Sequence, residues 1–403
     1  MNKLTHLLLL FFLISGSFVT VFISVSASDL VEDTWHTKAP MNQPRHNFGV
    51  VAVDGKIYAI GGDQLSPGVS TMQVDFNERY DPKTNKWTTL ESMPTPSSGF
   101  AIVAYQGKLY CIGQGLTQVY DIASNSWSTK TSCPSNNAPR GVHVVDGKIF
   151  VILFSRSPFV GCEMYMYDTV ADSWIAKTSL PTAALISSSF VLDNKLIATG
   201  TFIDPVRCQL LVYDPNSDKW HEDRTISNPI YGRANSFGVT SGLYAPQKIY
   251  VPQTLNRTAA YIDLTAFNID IFSQNNMTEL NITELSTFTR AYDPVSDTWV
   301  NGTGVPTARM TPGVVIVDDV LYVIGGLNHG MSLVVNEQYV PFGYQGNLSS
   351  RSTFSLDNIL FVVALVVTVI AVVIVVVLFF FKNKRKQVNI NSNYDSESSS
   401  VMI

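Results

Sequence analysis

The chain has 403 residues, of which 46% are hydrophobic and only 15% are charged, and its formal net charge is −5. Four cysteines are few for a disulfide-stabilised domain of this size, so the core must be held by packing. Nucleic acid and anionic lipid both require a basic surface, and the acidic balance therefore argues against them as partners.

The N-terminus has the pattern of an export signal. A short polar region around Lys3 precedes an apolar stretch that is interrupted by Ser15-Gly16-Ser17. Val25-Ser26-Ala27 then offers the small residues that a signal peptidase reads. We predict a signal peptide over residues 1–27. An uncleaved membrane anchor is the alternative, because the apolar stretch approaches spanning length.

A second apolar block, near the C-terminus, is long enough to cross a membrane. It runs from Ile359 to Phe381, which would reach about 34 Å as a helix. We predict a single transmembrane helix over 359–381 and a disordered cytoplasmic tail over 382–403. The tail is placed in the cytoplasm by the positive-inside rule, from the basic residues Lys382, Lys384, Arg385 and Lys386.

The two apolar blocks bracket a segment that we expect to be extracellular, in a single-pass protein of the cell membrane. Residues 28–342 are predicted to fold as one domain, and residues 343–357, rich in Gly, Asn and Ser, to form a stalk. Without the residues of the two ends, 22 basic and 30 acidic side chains remain, which gives this ectodomain a net charge of −8.

A fixed spacing of tyrosine and tryptophan recurs along this segment. Five times a Tyr is followed seven residues later by a Trp, and a turn phrase such as Asp81-Pro82-Lys83-Thr84-Asn85 lies between them. Asp, Pro and Asn favour tight turns. Each Tyr-to-Trp segment is therefore predicted to be a strand, a turn and a strand, with the tryptophan as a core aromatic residue. The pairs are Tyr80/Trp87, Tyr120/Trp127, Tyr167/Trp174, Tyr213/Trp220 and Tyr292/Trp299.

A second hairpin is predicted before each pair, because a two-residue turn signal stands between β-branched runs. Glycine doublets end its second strand at Gly61-Gly62 and Gly325-Gly326. Each unit is therefore predicted to contain four antiparallel strands. The turn positions are Asp54-Gly55, Gln106-Gly107, Asp146-Gly147, Asp193-Asn194 and Asp318-Asp319.

Two hairpins per unit, with Gly-Gly after the second strand, Tyr-Asp-Pro on the third and Trp on the fourth, resemble the kelch repeat. Residues 56–62 and 320–326 carry this pattern most fully. The resemblance implies an all-β fold, a β-propeller with blades around a central channel. The doublet departs from the pattern at Gly113-Gln114-Gly115 and at Gly200, and it is absent from the third and fifth units.

The aromatic residues predict six blades. Tyr339 has no Trp seven residues later, and Trp35 has no Tyr seven residues earlier. We therefore expect the N-terminal strand, residues 33–38, to complete the last blade and close the ring. The interval from Tyr213 to Tyr292 is longer than the others, and we interpret about 252–285 as an insertion between the second and third strands of the fifth blade. A hidden seventh blade is the alternative.

Cysteines and glycosylation sequons add to this prediction. Cys162 and Cys208 each precede a repeat Tyr by five residues. A disulfide between them stays open, because equivalent positions in adjacent blades usually lie beyond the ~7 Å limit for a disulfide. Cys111 is expected to be buried on a core strand, and Cys133 to lie in an inter-blade turn. Candidate N-glycosylation sites are Asn256, Asn276, Asn281, Asn301 and Asn347.

No constellation of catalytic, metal-binding or cofactor-binding residues stands out. The ectodomain histidines occupy different repeat positions and are expected to be surface or turn residues: His36, His46, His143, His221 and His329. Arginines recur at the start of the first strand, where packing between blades is favoured over binding of an anionic ligand near the channel. These arginines are Arg45, Arg140, Arg233 and Arg309.

We interpret the chain as a cell-surface binding or scaffolding module, not an enzyme, that presents propeller loops to an extracellular protein or glycan. The insertion is the favoured contact surface, because long loops on rigid scaffolds often carry function. The alternative is a surface carbohydrate-modifying enzyme that uses the channel mouth. The resemblance allows it, since kelch propellers include copper oxidases of the galactose oxidase kind and a sialic-acid mutarotase.

Overall fold

The protein is described by a computed structural model, which defines residues 30–154, 162–180, 184–203, 206–226, 236–255 and 286–346. Within those ranges, no helix has both the length and the apolar character that a membrane span requires. The predicted signal peptide, transmembrane helix and cytoplasmic tail lie outside the described residues.

Six four-stranded antiparallel sheets form the blades of a β-propeller. Blade one contains β2 (Gly49–Val53), β3 (Lys56–Ile60), β6 (Asn77–Asp81) and β7 (Lys86–Thr89). Blade two contains β8 (Ala101–Tyr105), β9 (Lys108–Gly113), β10 (Leu116–Asp121) and β11 (Ser126–Thr129). Blade three contains β12 (Ala138–Val145), β13 (Lys148–Phe154), β14 (Glu163–Asp168) and β15 (Ser173–Lys177).

The other three blades repeat this order. Blade four contains β16 (Ala184–Leu192), β17 (Lys195–Ile203), β18 (Val206–Asp214) and β19 (Lys219–Ile226). Blade five contains β20 (Gly238–Val239), β21 (Ile249–Leu255), β22 (Ser286–Asp293) and β23 (Thr298–Gly302). Blade six contains β24 (Gly313–Val317), β25 (Val320–Ile324), β28 (Asn336–Val340) and the N-terminal strand β1 (Thr34–Lys38).

The N-terminal strand closes the ring, as the aromatic spacing predicted. β1 pairs antiparallel with β28, and Trp35 stands opposite Tyr339. Their ring centroids lie 5.0 Å apart, and the five other Tyr/Trp pairs are separated by 4.8 to 5.2 Å. Trp35 is half-buried like the other five repeat tryptophans, and all six repeat tyrosines are buried. The prediction of six blades with N-terminal closure is confirmed.

The structure corrects the expectation that the repeat tryptophans are core residues. All six are half-buried, because each lies on the fourth strand at the outer edge of its blade, where part of the ring stays accessible to solvent. The indole N–H also needs a polar partner at that edge. Trp174 Nε1 donates to the carbonyl of Thr131, and Trp220 Nε1 donates to the carbonyl of Thr178, both at 3.0 Å. Trp174 and Trp220 therefore join neighbouring blades at the rim, and only their tyrosine partners belong to the buried core.

The turn chemistry explains why the first hairpins form. In blade one, Asp54 and Gly55 have φ angles of 49° and 70°. Both central positions of the favoured two-residue hairpin turn require positive φ, which Asp tolerates and Gly adopts freely. Asp146 and Gly147 repeat this pattern in blade three, with φ angles of 48° and 70°. The strands therefore turn where the sequence predicted.

The core is divided among the interfaces between neighbouring blades. Each of the six hydrophobic clusters takes side chains from two adjacent blades. Ile60 of blade one, for example, packs with Phe100 and Leu109 of blade two, and all three are buried. Because no blade has a core of its own, the blades stabilise one another around the ring.

A polar clasp also joins neighbouring blades, and Asn85 in blade one shows its geometry. Tyr80 donates its hydroxyl proton to Asn85 Oδ1 at 2.7 Å, and the backbone N–H of Ala39 donates to the same oxygen at 2.9 Å. Trp87 Nε1 then donates to the carbonyl of Ala39 at 2.8 Å. The segment that enters the blade is thereby held at both its N–H and its C=O group.

The clasp recurs around the propeller. In every blade the Tyr hydroxyl donates to an Asn or Asp side chain, at 2.5 to 2.9 Å. That acceptor residue has a positive φ near 50°, a conformation that Asn and Asp tolerate better than most residues. The acceptors are Asp33, Asn85, Asn125, Asp172, Asp218 and Asp297.

Blade five contains the long connection. β21 pairs directly with β22, with Leu255 opposite Ser286. Residues 256–285 therefore connect the second and third strands of this blade, and the strand before them continues past the predicted start of the insertion. Those connecting residues lie outside the part of the chain that the structure describes.

Candidate functional site

The antiparallel order of each blade divides the connections between two ends of the propeller. The connections from the second to the third strand leave at the same end as the segments that enter the next blade. Two of them, residues 63–73 of blade one and residues 327–332 of blade six, form small hairpins that we call the hairpin face. The hairpin strands are β4 (Asp63–Gln64), β5 (Met72–Gln73), β26 (Leu327–Asn328) and β27 (Met331–Ser332).

Hydrogen bonds join the two hairpins into one surface. The N–H of Ser332 donates to the carbonyl of Leu65 at 3.0 Å, and the N–H of Leu65 donates to Ser332 Oγ at 2.9 Å. His46 Nδ1 lies 3.0 Å from the same Oγ. Blades six and one therefore share a continuous polar seam beneath the hairpin face.

The hairpin face is apolar and uncharged. Val69, Met72 and Met331 are 63%, 57% and 45% exposed. The sequence has no Asp, Glu, Lys or Arg between Gln64 and Val74 or between Leu327 and Val335. Large exposed apolar side chains that cluster within an uncharged surface are typical of sites that contact other proteins.

Two buried ion pairs support the hairpin face from below. Arg45 Nη1 lies 2.6 Å from Glu78 Oε2, and Arg309 pairs with Glu337 in the same way. All four side chains are at most 3% exposed. Since truncating one member of a buried pair is strongly destabilising, these pairs hold the entry segments of the two blades in place. The packing role expected for Arg45 and Arg309 is the one that the structure shows.

A cavity of about 220 Å³ lies at the centre of the propeller. Its wall is formed by the first strands of blades two to six and is largely apolar, with contributions from Ile102, Val142, Phe190, Val239 and Val314. Arg140, His143 and Ser189 are the polar residues in its described lining.

The polar side chains of the cavity lie against one another and against aromatic rings. His143 Nε2 lies 2.9 Å from Ser189 Oγ, and the guanidinium carbon of Arg140 lies 4.5 Å from the centroid of the Phe154 ring. His143 is half-exposed by area because its ring faces the cavity. Protein nevertheless surrounds the ring, and this burial lowers the pKa of His143 to about 4. The imidazole is therefore neutral at pH 7.

Comparison with known proteins agrees with the repeat seen in the sequence and in the fold. A model of the Kelch motif matches residues 44–94, which contain all of blade one. The chain is a kelch-repeat β-propeller. Human Kelch-like protein 28 is 39% identical over 84 residues, and an F-box/kelch-repeat protein of Arabidopsis thaliana is 34% identical over 101 residues.

These similarities are confined to parts of the chains. The match to Kelch-like protein 28 covers 20% of this chain and 15% of the human protein. The match to the Arabidopsis protein covers 25% of this chain and 26% of that relative. The solved structure of YjhT aligns with a TM-score of 0.49 and 14% identity, over 74% of this chain and 95% of that chain.

The kelch propeller corrects the expectation for two histidines. His143 was expected at the surface or in a turn but lies on β12 and lines the central cavity. A strand that faces the channel alternates like one that faces solvent, so its sequence does not distinguish them. His46 is 8% exposed, between the hairpins and the entry of blade one. His36 is half-buried, and His221 and His329 are exposed.

The remaining predicted residues fall into two groups. Asn301 is exposed on the outer strand β23 of the kelch propeller. Cys111 is buried on β9 as predicted, Cys133 and Cys162 are also buried, and all four cysteines are free thiols, so Cys162 and Cys208 are not bonded. Outside the described residues lie Arg233, Asn256, Asn276, Asn281 and Asn347.

Among the side chains that the structure describes, no three His, Cys, Asp or Glu residues lie together as ligands of a metal ion would. The sequence contained two signals that were not used in predicting the site. Glu78 and Glu337 each stand two residues before a repeat tyrosine and become partners of the buried arginines. An Asn or Asp five residues after a repeat tyrosine marks the inter-blade clasp.

Proposed function

We propose that this kelch propeller is a non-enzymatic binding module that recognises a protein partner through the hairpin face. The observation that carries the proposal is the exposure of Val69, Met72 and Met331 on two joined, uncharged hairpins. Apolar side chains, Met among them, are enriched in the buried centres of protein interfaces, and charged groups are depleted there. This composition favours a protein over a glycan as the ligand.

The support beneath the hairpin face strengthens this proposal. The Arg45–Glu78 and Arg309–Glu337 pairs and the seam at Ser332 fix both hairpins to rigid blades. A binding surface that is ordered before the partner arrives loses less conformational entropy on association. The long connection of blade five leaves its blade at the same end of the propeller, and we propose that it adds to the contact.

A pair of matched triple variants tests the proposed face. In the first, Val69, Met72 and Met331 are changed to Ser, Gln and Gln. In the control, Val170, Leu243 and Val295 are changed to Ser. These three are 96%, 61% and 86% exposed and lie in connections at the other end of the propeller. The full chain and both variants are used to capture partners from the extracellular fraction of the producing organism, with cross-linking and mass spectrometry.

We expect the wild-type chain and the control variant to capture the same partner, and the hairpin-face variant to bind the purified partner at least tenfold more weakly. Loss of an apolar residue from the centre of an interface commonly costs more than 1 kcal/mol, and three such losses together exceed a tenfold change. Equal binding by both variants would exclude the hairpin face, and loss with the control variant alone would place the site at the other end.

We also propose that the propeller is held outside the cell by the segment over 359–381, with the signal peptide removed. The apolar lengths of the two terminal blocks and the basic residues after the second support this topology. In sealed membranes containing the full chain, external protease should remove an epitope at residue 343 and spare one at residue 403. Protection of both epitopes would contradict the topology.

A further inference from the structure

The four arginines that recur at the start of the first strand do not share one environment. Arg45 and Arg309 are buried against Glu78 and Glu337, away from the central cavity. Arg140 instead lies in the wall of that cavity, half-exposed and stacked on Phe154. No carboxylate contributes to the described lining. The described wall of the cavity therefore includes a cation and no anion.

The polar corner of the cavity is closely built. An added Cβ at Gly141 would lie 2.2 Å from Ser189 Oγ and 2.4 Å from His143 Nε2. Only a glycine between Arg140 and Val142 lets the serine and the imidazole approach each other and the backbone. Ser189 is 1% exposed, so its hydroxyl is fixed, while Arg140 and His143 retain exposure through which a ligand can reach them.

We propose that the central cavity binds a small carboxylate that carries a short apolar tail. The guanidinium of Arg140 is the group that pairs with the carboxylate, because its planar fork matches two carboxylate oxygens. Ser189 and His143 supply further hydrogen bonds at the same corner. The tail contacts the apolar wall on the opposite side, which includes Val239 and Val314.

Charge and size define the ligand class further. A dianion such as phosphate would bring a second negative charge into an apolar enclosure, and burying an uncompensated charge is costly. The imidazole of His143 is neutral at pH 7 and does not supply a second positive charge. The cavity volume of 220 Å³ equals about seven water molecules at ~30 Å³ each. A monocarboxylate with a branched tail of a few carbons fits this space.

The test compares two probes of equal shape. 3-Methylbutanoate carries the charge, and 3-methylbutanamide replaces one carboxylate oxygen with an NH2 group. Saturation-transfer NMR on the purified full chain at pH 7 measures the affinity for each probe, with inorganic phosphate as a competitor. We expect the carboxylate to bind at least tenfold more tightly than the amide, and phosphate to leave its binding unchanged.

Two variants and one control locate the binding. Arg140→Gln should weaken carboxylate binding at least tenfold. Val191→Phe should block binding by filling the cavity while Arg140 remains. Arg290→Gln is the control, since Arg290 stacks on Trp299 at 4.2 Å but is not part of the cavity wall. It should bind like the wild-type chain.

Equal affinity for the two probes, displacement by phosphate, or wild-type affinity in Arg140→Gln or Val191→Phe would each overturn the proposal. If Arg140→Gln does not fold, the comparison of the two probes on the wild-type chain and the Val191→Phe variant still decide. The cavity site is independent of the hairpin face, so failure of one leaves the other standing.

Discussion

At the scale of single residues, the carboxylate of Asp319 shows how one side chain fixes a loop. It is 2% exposed and accepts the backbone N–H groups of Ser241, Tyr244 and Ala245 at 2.5, 2.7 and 3.0 Å. Burial raises the pKa of this carboxyl, but the three N–H donors together outweigh burial, so the pKa lies below its usual range. The blade-five loop is thus attached to the first turn of blade six.

Asp319→Asn should lower the free energy of unfolding by about 1–3 kcal/mol at pH 7, because it removes a charged acceptor from three buried hydrogen bonds. A carboxyl whose pKa is depressed in the folded state stabilises above its unfolded pKa near 4, and this contribution is lost as the pH falls through the folded value. The difference between variant and wild type should therefore shrink below pH 4. Urea unfolding at pH 7 and pH 3 measures it.

The neighbouring Asp318 is exposed and supplies the control. Asp318→Asn should change the free energy of unfolding by less than about 0.5 kcal/mol at either pH. A pH-independent loss in Asp319→Asn, or an equal loss in Asp318→Asn, would contradict the role assigned to the buried carboxylate.

At the scale of the strand and the turn, the pattern of the sequence predicted most of the architecture. Tight turns require specific backbone angles, so phrases such as Asp54-Gly55 locate hairpins from local chemistry alone. What a strand faces is a tertiary property, and the position of His143 in the cavity could not be predicted from alternation on β12. For the same reason the fixed spacing located Trp174 and Trp220 on outer strands but did not predict that they are only half-buried. The Arg45–Glu78 pair joins distant parts of the chain, so single-strand patterns do not reveal it either.

At the scale of the whole molecule, closure by β1 is the contact that completes the ring. Trp35 packs on Tyr339 in the way that Trp127 packs on Tyr120, and its Nε1 donates to the carbonyl of Thr303 at 2.9 Å. Blade six therefore depends on a strand that enters from the opposite end of the sequence. Its stability should respond to the N-terminal strand as strongly as any other blade responds to its own fourth strand.

Trp35→Ala should lower the free energy of unfolding by about 3 kcal/mol, the low end of the range for large aromatic truncations, because the ring is half-buried. Trp127→Ala is the matched control within a continuous blade, and the two losses should agree within about 1 kcal/mol. Guanidinium unfolding followed by circular dichroism measures both. An unchanged stability in Trp35→Ala would show that the closure contributes nothing to the fold.

The closure by β1 also has a consequence for biosynthesis. Asp33 and Tyr339 are hydrogen-bonded across 306 residues of sequence, so the first strand has no partner until almost the whole propeller has left the ribosome. At ~5–20 residues per second, synthesis of that interval lasts roughly 15–60 s. During this time the nascent chain carries an unpaired strand edge of the kind that templates aggregation. A message truncated before codon 336 would yield a protein in which that edge never finds its partner.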